Sequence, residues 1–188
     1  MESTILHIKN MVCSRCQKVV RKELESLGLH PLKVGLGEVT LREPAAQVDQ
    51  EAVGAALAKH GFALLDDKKA QTVQKIKSTV IEAIHHRQEP HPNFSARIAR
   101  EVGLDYAYLS SLFSATEGIT LEKYIILQRI ERAKELLVYD ELSLSQIADQ
   151  LGYSSVQHLS AQFKKVTDLT PSYYKKHQEH QRRPLDEI

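Results

Sequence analysis

The stretch from Ser143 to Lys176, SLSQIADQLGYSSVQHLSAQFKKVTDLTPSYYKK, leaves this chain little freedom of fold. Leu144, Ile147, Ala148 and Leu151 recur at i, i+3, i+4 and i+7, the spacing of one buried helix face. Gly152 stops that helix, and Ser154 or Ser155 is placed to cap the next by accepting an orphan backbone N–H. In the second helix Val156, Leu159, Phe163 and Val166 share a stripe, at roughly 100° per residue. The opposite face then carries Gln157, His158, Ala161, Lys164 and Lys165. Two short helices joined by a tight glycine turn, the second with a polar and basic outer face, predict a helix-turn-helix of the DNA-binding type.

The pattern occurs twice. Ile98-Ala99-Arg100-Glu101-Val102-Gly103 mirrors Ile147-Ala148-Asp149-Gln150-Leu151-Gly152, and Leu109 and Phe113 mirror Leu159 and Phe163. Gly118-Ile119-Thr120 and Tyr124 answer Asp168-Leu169-Thr170 and Tyr174. The units lie at about 94–116 and 143–166. Between them residues 121–138 (LEKYIILQRIERAKELLV) read as a strong helix, with Ile125, Leu127, Ile130, Ala133, Leu136 and Leu137 available for burial. At 1.5 Å per residue that helix spans roughly 27 Å. A strut of this length suits two recognition helices about one DNA turn apart on a single face of the duplex.

This doubled arrangement, from about Val73 to Lys176 and closed by GYSSVQHLSAQFKKVTDLTPSYYKK, resembles the C-terminal domain of the AraC family of transcription regulators. Gly-aromatic-Ser, Phe-Lys-Lys, and Thr-Pro followed by an aromatic are all present. Thr170 is expected to cap the last helix, with Pro171 at its first position. One departure is Asp168, where the family usually has Gly. The resemblance implies base-reading positions at Ala107, Ser110 and Ser111 in the first unit and at Gln157, His158 and Ala161 in the second. Gln157 suits adenine, and His158 a guanine edge or a phosphate. Lys164 and Lys165 suit phosphates, which set register without reading sequence. Arg129 and Lys175 are further backbone-contact candidates.

Charge qualifies this reading. The net charge is +1, and residues 83–188 hold 13 Lys+Arg against 14 Asp+Glu. Only locally, over 153–183, do six basic residues face two acidic ones, so attraction to phosphate must be local. Residues 106–116 contain no Arg or Lys. Either that first unit makes short hydroxyl contacts and relies on DNA shape, or it docks a partner while the second unit grips.

The first 67 residues read differently. Thr4 to Ile8 alternates as a strand. Val19, Val20, Leu24 and Leu27 have helical spacing, ended by Gly28. Pro31–Val34 and Glu38–Leu41 are strand-like runs about Gly35 and Gly37. Val53, Ala56 and Leu57 mark a second helix, and residues 62–65 a last strand. The order β-α-β-β-α-β predicts a small ferredoxin-like unit. Met11-Val12-Cys13-Ser14-Arg15-Cys16 in its first loop resembles the heavy-metal-associated domain of copper chaperones and copper pumps, over about residues 3–66. The resemblance implies that Cys13 and Cys16 bind a soft monovalent ion, chiefly Cu(I), with Ag(I) a second candidate. Independently, two soft thiolates suit Cu(I), and a structural zinc usually wants four ligands where this loop offers two. Cys16 is expected at the start of the first helix, where the macrodipole favours thiolate. His60 is a candidate third ligand against the alternative of a solvated surface histidine, and Met11 is expected to pack beneath the loop. Asn10 stands where the family usually has Gly; Asn tolerates unusual backbone angles. The alternatives for the thiols are a reversible Cys13–Cys16 disulfide and a unit kept only for packing.

Asp66-Asp67-Lys68-Lys69 marks the expected boundary, followed by a helix through Val73, Ile76, Val80, Ile81 and Ile84 to His85-His86. His85, His86 and His91 are expected to be a solvated helix end. There is no 18-residue apolar run and no signal-peptide pattern, so a cytoplasmic protein without a membrane segment is expected. No nucleophile–base pair or phosphate loop points to catalysis. The predicted fold class is α+β: a ferredoxin-like domain over 1–67, then an all-α double helix-turn-helix domain over 68–188. The expected function is a transcription regulator of double-stranded DNA in which Cu(I) changes the loop's contact with the DNA domain or a second subunit and so shifts operator binding or recruitment of RNA polymerase. A thiol redox regulator, or a copper-binding scaffold whose helices bind protein, are the rivals.

Overall fold

The computed structural model describes residues 3–86, 93–177 and 185. The chain divides into two compact units, Met1–Ser78 and Thr79–Ile188.

In the first unit β1 (Thr4–Lys9), α1 (Ser14–Ser26), β2 (Pro31–Val34), β3 (Glu38–Leu41), α2 (Gln50–Ala58) and β4 (Ala63–Leu64) follow in the expected order, with a short 3₁₀ turn at Ala45–Gln47. The strands form one antiparallel sheet in the order β2-β3-β1-β4. Alternation along β1 and β3 turns Leu6, Ile8, Val39 and Leu41 inward. There they meet Val20 and Leu24 of α1 and Val53 and Leu57 of α2. Each such side chain removed from water contributes about 1.5–3 kcal/mol. Met11 is fully buried in the same core, as its place beneath the loop predicts. Asn10 takes the left-handed conformation, φ 73°, and its side-chain amide donates to the Gly61 carbonyl at 2.9 Å.

α3 (Lys68–Ile81) begins at the charged run and continues as a π-helical turn, Glu82–His86. The division between the units falls inside α3, because Gln74 and Ser78 pack against Gly37 in the β2–β3 turn. His85 corrects the expectation of a solvated helix end. Its Nε2 lies 2.9 Å from Gln128 Oε1, and burial pushes its pKa down to about 4. His86 is exposed, and His91 lies outside the described residues.

The second unit comprises α4 (Phe94–Val102), α5 (Tyr106–Glu117), α6 (Leu121–Tyr139), α7 (Leu144–Gln150), α8 (Val156–Thr167) and α9 (Pro171–Lys176). Capping chemistry sets nearly every boundary. Asn93, Asp105, Thr120, Ser143, Ser155 and Thr170 each accept an orphan N–H, Ser143 within a capping box closed by Gln146. Gly103, Gly118, Asp140 and Asp168 end helices in the left-handed conformation. Leu109, Phe113, Leu159 and Phe163 are fully buried beside Ile98, Tyr124, Ile130, Ala133 and Ile147. α6 also buries an ion pair, Lys134 Nζ to Glu131 Oε1 at 2.6 Å, where periodicity alone expects only apolar residues to point inward. Among the described residues no helix is long and apolar enough to cross a membrane.

Candidate nucleic-acid interface and thiol site

The two thiols meet at the start of α1. Cys13 is its N-cap residue, with extended backbone, and Cys16 stands in its first turn; the sulfurs lie 3.3 Å apart. Burial raises the Cys13 pKa, but hydrogen bonds from the Cys16 backbone and thiol and from the Arg15 backbone, with the Arg15 charge, bring it below the ordinary thiol value. At Cys16 burial, the Cys13 thiol and its charge outweigh backbone donors at Val12 and Cys13, and the pKa rises. Cys16 thus stands at the start of α1 as expected, and the donors there lower the Cys13 pKa while burial raises that of Cys16. The reason is that Cys16 packs partly against the core while Cys13 receives the first-turn donors.

His60 is drawn elsewhere. Its Nε2 lies 3.2 Å from Glu23 Oε1 on α1. Among the described residues no group of three His, Cys, Asp or Glu side chains is gathered for a metal; this loop brings the two cysteines together. Two soft sulfurs, one already biased to thiolate, fit a soft monovalent ion and fit poorly with a hard one.

On α8 the expected face is realised. Gln157, His158, Ala161, Lys164 and Lys165 are all exposed while Leu159 and Phe163 are buried. The His158 ring is held at its inner side: Nδ1 is 3.1 Å from Ser154 Oγ, and the ring sits edge-on to Tyr153 at 5.2 Å. On α5, Ala107 and Ser111 are exposed and Ser110 is half-buried. Beside them Tyr108 is 51% exposed, a residue the motif alignment did not single out.

Two candidates for backbone contact prove to be engaged. The Arg129 guanidinium sits 5.2 Å from the Phe94 ring centre and 5.7 Å from that of Tyr153. Its Nε is buried, and burial lowers its pKa. It packs within the helical unit, half-buried, an engagement that the phosphate-contact expectation did not include. Lys175 pairs with Asp140, the left-handed residue that ends α6. Nothing in the spacing of either residue signals its partner, which is distant in sequence.

These duplicated, capped helix pairs on a central α6 define a protein of the double helix-turn-helix class. Residues 98–177 match the family described as "Helix-turn-helix domain", within the stretch whose motifs resemble the AraC-type domain. The chain is 31% identical over 102 residues to the uncharacterized HTH-type transcriptional regulator YtdP of Bacillus subtilis (strain 168), covering 54% of this chain and 13% of that protein. It is also 31% identical over 98 residues to the xylose operon regulatory protein of Escherichia coli (strain K12), covering 51% and 25%. It therefore spans a quarter or less of the length of either relative. The solved C-terminal domain of AraT, a response regulator from Geobacillus stearothermophilus, shares the fold: TM-score 0.50, 23% identity, 59% of this chain and 88% of that one.

Proposed function

We propose that this chain is a transcription regulator, not an enzyme, that binds double-stranded DNA through α8 and α5 and responds to a soft metal ion, chiefly Cu(I), at Cys13 and Cys16. The observation that carries the DNA reading is the α8 face: five exposed residues, two of them lysine, on a helix whose other side is locked by Leu159 and Phe163. The regulatory names of the curated relatives support the same direction. For the metal, the support is the thiol pair in a loop leading into α1. The strand order β2-β3-β1-β4, with α1 and α2 as crossovers, also favours a ferredoxin-like unit of the heavy-metal-associated kind.

Cys13 and Cys16 would hold the ion, which supplies a cross-link between the two sulfurs. The protein's own part is to hold the Cys13 pKa below the ordinary thiol value and to fix the loop through Asn10 and buried Met11. A ligand shifts an equilibrium only by its differential affinity for two states, so ordering of this loop must favour one DNA-binding state over another. The output is a change in operator occupancy, with recruitment of RNA polymerase and pairing with a second copy as the downstream steps, all in the cytoplasm. The experiment is operator affinity with and without Cu(I), for wild type and for Cys13→Ser/Cys16→Ser. A response in wild type alone supports the sensor; four equal affinities remove it.

One observation favours a second reading of the same site. Sulfurs 3.3 Å apart with opposed acidities suit a disulfide switch. With a peroxide as oxidant, Cys13 thiolate attacks a peroxide oxygen and becomes a sulfenic acid, releasing hydroxide or alkoxide. The Cys16 sulfur then displaces hydroxide from it, the Cys16 proton leaves as water, and the S–S bond forms. A peroxide response in metal-free protein distinguishes this reading from Cu(I) sensing.

A further inference from the structure

α5 and α8 share one frame and present unlike faces. Each has 12 residues, each follows a capping side chain (Asp105, Ser155), and each ends in a left-handed residue (Gly118, Asp168). Each Phe lies against a tyrosine: Phe113 and Tyr124 at 5.3 Å between ring centres, Phe163 and Tyr174 at 5.5 Å. Position for position, Gln157, His158, Ala161, Lys164 and Lys165 of α8 become Ala107, Tyr108, Ser111, Ser114 and Ala115 in α5. From Leu104 to Thr120 the charged residues are the carboxylates Asp105 and Glu117. Asp105 accepts from the Ala107 and Tyr108 N–H groups, so those helix-end donors are already satisfied. The Ser114 hydroxyl donates to the Ser110 carbonyl.

A face of this kind cannot hold a duplex by charge. It offers a methyl group, a half-exposed aromatic ring and one short outward hydroxyl. In the major groove the base-edge feature that matches a methyl or a ring is the thymine 5-methyl, which no other base carries. The small side chains Ala107 and Ser111 let the helix backbone approach the groove closely enough for such contacts.

We infer that α5 is a thymine reader. Resting on the DNA-binding reading above, Ala107 and Tyr108 pack on 5-methyl groups of one half-site and Ser111 bonds a base edge, while α8 supplies the electrostatic grip. Half-site discrimination by α5 is then insensitive to salt and rests on methyl burial.

The test uses the full chain and the duplex it selects from a random pool, with each thymine replaced in turn by uracil, which deletes only the methyl. Wild type is expected to lose about three- to fivefold in affinity per contacted methyl in one half-site, the size of one buried methyl. Tyr108→Ala and Ala107→Gly should each lose the uracil effect at the thymine that the removed group contacts and keep it at the other. A gain-of-function variant removes dependence on loss alone: Ala107→Gln/Tyr108→His/Ser111→Ala, which grafts the α8 face onto α5, should select the α8 half-site in both positions. If wild type binds DNA with no uracil effect in either half-site, or the graft leaves selection unchanged, this inference falls and the DNA reading stands, with hydroxyl and shape contacts or a protein face left for α5. If folded wild type selects no duplex at all, the DNA reading falls and takes this one with it.

Discussion

Ser78 leaves no room for a side chain at Gly37: a Cβ placed on Gly37 would stand 2.7 Å from Ser78 Oγ. Gly37 also holds φ +79°, where L residues are strained, and its carbonyl accepts from Ile8 N–H at 2.9 Å. The β2–β3 turn is thereby fastened to β1 on one side and to α3 on the other.

Gly37→Ala should therefore destabilise the first unit by about 2–3 kcal/mol, combining left-handed strain of about 1–2 kcal/mol with the steric conflict. Ser78→Ala removes the Oγ that a Cβ at Gly37 would meet, along with its bond from Gln74, so the loss caused by Gly37→Ala should be smaller in that background. A double-mutant cycle by urea denaturation measures the coupling. Additive effects would mean that the close approach carries no energy.

His85 gives the second unit an acid limit. Burial, with the charges of Arg132 and His86, lowers its pKa to about 4, against an opposing contribution from Glu135 and the Gln128 hydrogen bond. The folded-state pKa lies below the unfolded one, so protonation favours the unfolded chain. Stability is full above the ordinary histidine value near 6.5 and is lost as the pH falls from there toward 4, by roughly 2–3 kcal/mol. His85→Gln should flatten this part of the profile. Urea midpoints of both proteins at pH 7 and pH 4.5 check it, and parallel profiles would contradict it.

Asp168 holds φ +60° at the end of α8, the position that Gly118 occupies after α5. A residue with a Cβ is disfavoured there, so Asp168→Gly should raise stability by about 0.5–1 kcal/mol. Thermal melting of the variant should shift upward; an unchanged or lower midpoint means the Asp168 side chain contributes more than its strain costs.

How much of this was legible in the sequence depended on the range of the interaction. Ser143, Ser155 and Thr170 act within one turn of themselves, and Leu159 and Phe163 obey a 3.6-residue period, so the helix pairs and the α8 face could be read directly. The β-α-β-β-α-β order followed from alternation and glycine stops for the same reason. Arg129 could not be placed, because its aromatic neighbours Phe94 and Tyr153 come from other helices. His85 looked like a surface residue until Gln128 met it, and the pairing of His60 with Glu23, 37 positions away, was invisible for the same reason. Which of two thiols is more acidic turned on individual backbone donors, which no spacing rule encodes.

Salt dependence of DNA binding separates the cations of the second unit by role. Each phosphate neutralised in a duplex complex contributes about −0.9 to the slope of log affinity against log salt. Lys164 and Lys165 are exposed on the α8 face, so Lys164→Ala/Lys165→Ala should make the slope shallower by about 2 and weaken binding at low salt across all sequences. Arg129 is turned onto Phe94 and Tyr153, so Arg129→Met should leave the slope as it was. That variant should instead lower stability by about 1–2 kcal/mol, the scale of a desolvated cation–π contact. Lys175 is paired with Asp140, and Lys175→Ala should change the slope by less than one unit. Binding titrations from 50 to 300 mM salt, with melting curves on the same samples, resolve the three variants. A shallower slope for Arg129→Met would return that residue to the phosphate-binding set, and an unchanged slope for the lysine pair would take the grip away from α8.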